Sequence, residues 1–424
     1  MRPTSRSLAT CLAAAALLAG LVGGCGSKSE ESGESPGGGG SGSLKTGPGV
    51  TDKRITLGLL TDLSGVFAPL AKPIVQATQE YWKEQNSKGG VCERTVNLVV
   101  KDHGYDPQKA VVQYRELSDV AGLQQLLGSP ITAALLPTLK KDGMLSLLAA
   151  WPSSLLGNDF IIEIGASYDI EMINGLGYLM QKGMLTKGDK IGHVYFEGEY
   201  GENGLKGSEA FAKQNGMTVV QQKIKATDED MSGQVSALKR AGVKAIAMTT
   251  APTQLASVAG IGATQGLNVP ILGNNPTYDP ALLKSPAAKA VKTSAYIVAS
   301  AAPYNSDQPG PMQAAQAWST AHPKETPKAA VGNGWSQAQV MNEILNQACK
   351  NKDLTRAGLV KAARQLSKVD LKGLTAGPLD YTKVGQPSSR AVFITRPADV
   401  NGGLKAEGGV IETEEARSYD VGAQ

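Results

Sequence analysis

The sequence predicts an α/β protein built as two doubly wound, parallel-sheet lobes. Three observations lead there. Apolar strand-length runs alternate with helix-length segments, the alternation restarts near Asp169, and the part able to fold is too long for one core. Strands buried on both faces read as continuous apolar runs, and helical crossovers between them make a sheet parallel. About 370 residues remain once the N-terminal segment is set aside, which suggests two domains.

The first series opens with Ile55–Thr61 (ITLGLLT), a compact apolar run between turn residues. A helix is expected over Lys72–Lys88, where Ile74, Ala77, Tyr81 and Trp82 share a face and Gly89-Gly90 stops it. Thr95–Lys101 is the next strand, and Pro107 opens a helix running to Asp119. Leu123–Leu127, Met144–Ala150 and Phe160–Ile164 read as further strands. The second series alternates helices over 169–182, 204–215, 231–241 and 253–264 with strands Lys190–Phe196, Thr218–Lys223, Val243–Met248 and Val269–Leu272. Ala295–Ser300 closes it, while Asp380-Tyr381 and Phe393-Ile394 read as closing strands of the second lobe. Trp335 and Gln339 lie on a helix with a packing role.

The N-terminus bears on the compartment. Arg2 and Arg6 precede an apolar stretch from Leu8 to Val22, then Gly23-Gly24-Cys25. A positive region, a short apolar segment and a small-residue site form an export signal. The segment falls short of the roughly 20 residues that span a bilayer. A cysteine after small residues resembles a bacterial lipobox, which implies cleavage of 1–24 and a lipid on Cys25; an uncleaved anchor or an ordinary signal peptide are the alternatives. Residues 25–52 begin with a Gly/Ser-rich run lacking apolar side chains, expected as a flexible lipidated linker with a reach of about 27 Å.

The formal charge is +4 for the whole chain, and Arg2 and Arg6 are the only charged residues of 1–24, so the remainder carries +2 with no basic run. Nucleic acid is therefore not an expected partner. Of four cysteines, Cys11 leaves with the signal and Cys25 takes the lipid; Cys92 and Cys349 remain as a disulfide candidate or as two free buried thiols. Three scattered histidines and no Cys/His cluster give no support to a metal site. There is no nucleophile elbow, P-loop or strand-linked dinucleotide fingerprint, so neither cofactor nor enzyme activity is expected. Acidic pairs such as Glu197/Glu199 read as solvated loop charges.

In doubly wound sheets, ligands bind beyond the carboxyl ends of the strands. The residues there are small or hydroxylated: Ser64 after the first strand, Ser129 and Thr132 after the third, Ala150 and Trp151 after the fourth. Tyr200, Pro252 and Asn275 follow strands of the second series. Ordinary turn and cap chemistry is the alternative for each loop, but six such loops in order favour a site.

The chain resembles the type I periplasmic binding proteins, in the branch of the leucine/isoleucine/valine-binding proteins. The likeness rests on ITLGLLTDLSG (55–65), SKGGV (87–91), LVVKDHGYDPQK (98–109), EYGENG (199–204) and VPILGNNPTYDPAL (269–282), and covers about 53–400. It implies a three-strand hinge, one lobe of 53–168 with 304–371 and another of 169–303 with 372–424. Cys92 and Cys349 then fall in one lobe. A small-molecule ligand would sit between the lobes of a monomer tethered to the outer face of the cell membrane, and an ABC permease would read the closed form. A ligand sensor without transport is the alternative. By the resemblance Ser129 and Thr132 hydrogen-bond the ligand and Tyr200 covers it, unless Tyr200 is a half-buried core side chain.

Two departures stand out. After Ala150, where amino-acid binders hold the ligand carboxylate with Ser or Thr, come Trp151 and Pro152, and proline has neither N–H nor hydroxyl. Where those binders place an acidic residue for the ammonium stands Asn275. A ligand that is not a zwitterionic amino acid is therefore expected. Trp151 either offers it a flat apolar wall, so that Trp151→Ala changes affinity far more than melting temperature, or packs into the first lobe.

Overall fold

The computed structural model describes residues 44–422, so the leader, Cys25 and the tether as far as residue 43 lie outside the described residues. Two sheets carry the architecture. The first series runs β1 (Lys45–Thr46), β2 (Arg54–Thr61), α1 (Ala68–Ser87), β3 (Thr95–Asp102), α2 (Pro107–Arg115), β4 (Gly122–Leu127), α3 (Ser129–Asp142), β5 (Ser146–Ala149) and β6 (Ile161–Ile162). Its sheet is parallel throughout, in the order β3-β2-β4-β5-β6. The local chemistry matches the punctuation of the sequence. Asp106 caps α2 by accepting the Gln108 and Lys109 N–H groups, with Pro107 at the first turn, and Gly143 ends α3 in the left-handed region.

The second series comprises α4 (Tyr168–Gln181), β7 (Lys190–Phe196), α5 (Glu199–Gln214), β8 (Thr218–Ile224), α6 (Ser232–Ala241), β9 (Ala245–Thr249), α7 (Pro252–Gln265), β10 (Ile271–Asn274), α8 (Ala288–Ser294) and β11 (Ala295–Ala299). The chain then returns to the first lobe as α9 (Pro309–Ala321), α10 (Ala330–Lys350), β12 (Asp353–Leu354) and α11 (Arg356–Ala363), and ends with β13 (Val392–Pro397), β14 (Leu404–Ile411) and α12 (Glu414–Ser418). The second sheet has the order β14-β13-β11-β10-β9-β7-β8. Its first five strands in chain order are parallel, and β13 and β14 close its edge antiparallel. One core packs the first sheet against α1 and α10, with Tyr81, Trp82 and Trp335 edge to face at its centre. Cys92 and Cys349 form a disulfide, Cα–Cα 6.3 Å, that fastens the turn after α1 to the end of α10.

Three segments cross between the lobes, and two serine hydroxyls stitch them together. Ser300 Oγ accepts the Ala166 N–H at 2.8 Å; Ser388 Oγ accepts the Gly165 N–H at 2.8 Å and donates to the Glu163 carbonyl at 2.9 Å. Gly165 has φ +95, and a Cβ there would lie 2.3 Å from that of Ser300, so this approach requires glycine.

The structure corrects three sequence expectations. Residues 44–52 do not belong to a flexible linker: β1 pairs in parallel with β12, and Leu44 and Val50 pack on the first core. Asp380-Tyr381 is not a strand of the second lobe. Leu379 meets Val369 in an isolated bridge, and Tyr381 is buried in the first lobe's core. The third crossing therefore falls between Gly385, bonded to the Leu156 carbonyl, and Arg390, bonded to the Ala416 and Tyr419 carbonyls, rather than at 372. Met144–Ala150 and Phe160–Ile164 are trimmed to the short strands β5 and β6, and flanking residues such as Met144, Leu145, Ala150 and Phe160 pack into the first lobe's cores instead of joining the ladder.

Candidate functional site

Strand order locates the site before any side chain is considered. In the first sheet β2 lies between β3 and β4, and in the second β7 lies between β8 and β9. Connections leave these strands toward opposite sides, which opens a crevice at their carboxyl ends. The two crevices face each other, and a cleft occupies the gap, about 700 Å³ with its open mouth counted.

Its walls are built from loops fixed by the backbone. After β2, the buried Asp62 carboxylate accepts N–H groups from Ser64, Gly65 and Phe67, and this turn presents the Phe67 ring to the cleft. After β4, Gly128 has φ +100 and a Cβ there would come 2.9 Å from Tyr105 Cε2, so glycine lets that ring close the wall. An aromatic chain then spans the lobes. Phe67 meets Tyr105 at 4.8 Å and Tyr200 at 6.0 Å; Tyr200 meets Tyr168 at 4.8 Å, and Tyr168 meets Trp151 at 6.0 Å. Such contacts are worth about 0.5–1.5 kcal/mol each beyond burial. Polar bonds also join the lobes: Asn203 donates to Ser153 Oγ at 2.8 Å, and Ser154 to Glu199.

Of the residues singled out in the sequence, Ser129, Trp151, Tyr200 and Asn275 line this cleft. Ser129 is 2% exposed and its Oγ has no hydrogen-bond partner, which leaves it open to a solute. Trp151 is buried and donates its Nε1–H to the Ile164 carbonyl at 2.8 Å, so it both walls the cleft and props a hinge segment. Tyr200 donates toward Asn274 Oδ1 (2.8 Å) and the Thr250 carbonyl (3.0 Å). The others stand elsewhere. Ser64 is exposed and donates to Asp102 Oδ2 at 2.7 Å, and Thr132 Oγ1 is committed to the Gly128 carbonyl at 2.9 Å. Ala150 packs in the core behind the sheet, and Pro252 is buried at the start of α7.

Sequence reasoning missed Leu70, Tyr105, Tyr168, Tyr278, Lys328 and Asn333 as lining residues. Those on helix starts or crossings follow no strand, so the carboxyl-end rule does not reach them. The electrostatics are uneven. No aspartate or glutamate lines the cleft among the described residues. Glu171 lies just behind Asn275, whose N–H reaches it at 3.4 Å, and burial pushes its acid group well above the usual carboxylate range. An acid group that burial biases toward its neutral form is poorly suited to pair with an ammonium.

Two parallel-sheet lobes, three stitched crossings and a cleft at both switch points define a hinged solute-binding protein of the type I periplasmic-binding class. The comparisons give the family: the model for periplasmic binding proteins matches residues 54–402, and the chain belongs to that family. A fatty acid ABC transporter substrate-binding protein from Thermomonospora curvata is 44% identical, with TM-score 0.87 over 89% of this chain and 97% of that one. A branched chain amino acid ABC transporter protein from Thermus thermophilus with bound valine shares the fold at 18% identity and TM-score 0.76, over 87% of this chain and 99% of that one. A solute-binding protein from R. palustris in complex with benzoate does so at 16% identity and TM-score 0.70, over 88% and 99%. No match was found among curated protein sequences. The family's role is solute binding outside the cytoplasm, not catalysis.

Proposed function

We propose that this chain is the extracytoplasmic lipoprotein of an ABC importer, anchored through Cys25, and that it captures an apolar small molecule of the fatty-acid or aromatic-acid kind. The observation that carries the reading is the cleft wall. Phe67, Leu70, Leu127, Trp151, Tyr168 and Leu404 face one another across it, with few polar groups between them. The 44% identical protein is named for fatty acids, which agrees with that lining. An α-amino acid fits poorly: Trp151-Pro152 supplies no paired donors for a carboxylate, and among the described residues no acidic side chain lines the cleft for an ammonium. Losing a charge-assisted bond to a buried group costs about 1.5–3 kcal/mol. A permease in the cytoplasmic membrane receives the solute from the closed form.

Native mass spectrometry of the purified protein, followed by calorimetric titration, tests this. An apolar acid is expected among co-purified molecules, and leucine or valine should bind no tighter than millimolar. Micromolar leucine binding would overturn the solute class while leaving the transport role in place.

A further inference from the structure

Among the described residues that line the cleft, one bears a formal charge: Lys328, at the seam between the lobes. Its ammonium donates to Asp279 Oδ2 on the second lobe at 2.8 Å and to the Pro69 carbonyl on the first at 2.9 Å. An ammonium has three donors, so one is left over. The side chain is 22% exposed, against 3% for Asp279 behind it. Asp279 is itself held, its other oxygen accepting the Ala281 N–H at 2.8 Å. The pair thus fixes the lysine without using up its hydrogen-bonding capacity.

The surroundings favour an anion. Lys328 lies two residues before α10, and Ala330 and Asn333 of its first turn line the same wall, so the positive end of a 21-residue helix adds to the lysine's field. Asn333 contributes an amide able to donate. Apart from Ser129 and Asn275, the rest of the wall is mainly aromatic and aliphatic.

We propose that Lys328 is the specificity-determining residue of the cleft: it reads the carboxylate of an apolar monocarboxylic acid, placing the acid at the seam beside α10 and the hydrocarbon along Phe67, Leu70 and Leu127. The inference rests on the apolar-solute reading and goes further by assigning the head group, its position and its donor. It also ties recognition to closure. Lys328 holds one group from each lobe, so a carboxylate bound there interacts with the closed arrangement and shifts the population toward it.

Calorimetric titration with decanoate and decanol, equal in chain length and differing in charge, separates the two levels. The purified wild-type protein is expected to bind decanoate about ten- to a hundredfold more tightly than decanol. Lys328→Met combined with Asp279→Asn removes both charges together, so no carboxylate is left buried alone. This variant should bind the two compounds alike, whatever the change common to both, and Lys328→Arg should keep part of the preference. A melting curve of each variant confirms folding. A full decanoate preference in the double variant, or equal affinities in the wild type, would sink the role of Lys328 while leaving the apolar solute standing. Failure of both compounds to bind would remove the apolar reading itself and this inference with it.

Discussion

Replacing Trp151 with alanine is expected to destabilise the fold by about 3–5 kcal/mol, the usual range for truncating a buried tryptophan, and to weaken solute binding in the same variant. The sequence suggested a choice between a ligand wall and a packed core side chain, with affinity changing far more than melting temperature in the first case. The structure joins the two. The Trp151 ring lines the cleft and packs edge to face on Tyr168 of the second lobe. Its Nε1–H holds the Ile164 carbonyl on the first crossing. Truncation therefore empties a wall and frees a hinge segment at once. Trp151→Phe separates the effects: an aromatic wall remains, but the Ile164 carbonyl loses its donor, at a cost of about 1–3 kcal/mol. Denaturant unfolding beside titration with the bound solute measures both quantities. A Trp151→Ala protein that unfolds with the wild type would show that the ring carries no structural load.

How far the sequence reached depends on the range of the interaction involved. The strands were legible because Ile55–Thr61 and Lys190–Phe196 are short apolar runs bounded by turn residues, and that pattern is local. Ser129, Trp151, Tyr200 and Asn275 could be placed near the cleft because each follows a strand, and strand ends meet there in any doubly wound sheet. Lys328 carries no such mark. It gains meaning only when α10 folds back so that Asp279 and Pro69, both distant in sequence, close around its ammonium. Long-range pairing also explains the misread linker, since Lys45–Thr46 becomes ordered only by joining Asp353–Leu354. Asp380-Tyr381 misled for the opposite reason. Leu379 and Tyr381 alternate like strand residues, but their apolar faces are claimed by the first lobe's core, not by a sheet.

The buried glutamates are expected to cost the fold stability as pH rises above the ordinary glutamate value. Glu163 lies beside the hinge, 2% exposed, and neither of its carboxyl oxygens has a hydrogen-bond partner. Burial first, and the nearby Asp169 carboxylate second, push its acid group well above the usual range; burial does the same to Glu171. Both are neutral acids in the folded protein at pH values where the unfolded chain ionises them near 4.3. Above that value the unfolded state binds fewer protons than the native state, so stability is lost toward the raised folded values, at about 1.4 kcal/mol per pH unit for each group. The histidines act in the other direction but in a lower window. Burial lowers His103 to about 4 and His193 to about 3, so their contribution is complete above the ordinary histidine value of about 6.5 and is lost only as pH falls below it. The glutamate contribution is therefore read as a difference, from urea unfolding of the wild type and of Glu163→Gln side by side across pH. Glu163→Gln cannot ionise. It should match the wild type near pH 4 and gain on it as pH rises from there. A glutamine variant that keeps the wild-type pH dependence would mean that water or a cation reaches the carboxyl group at the hinge.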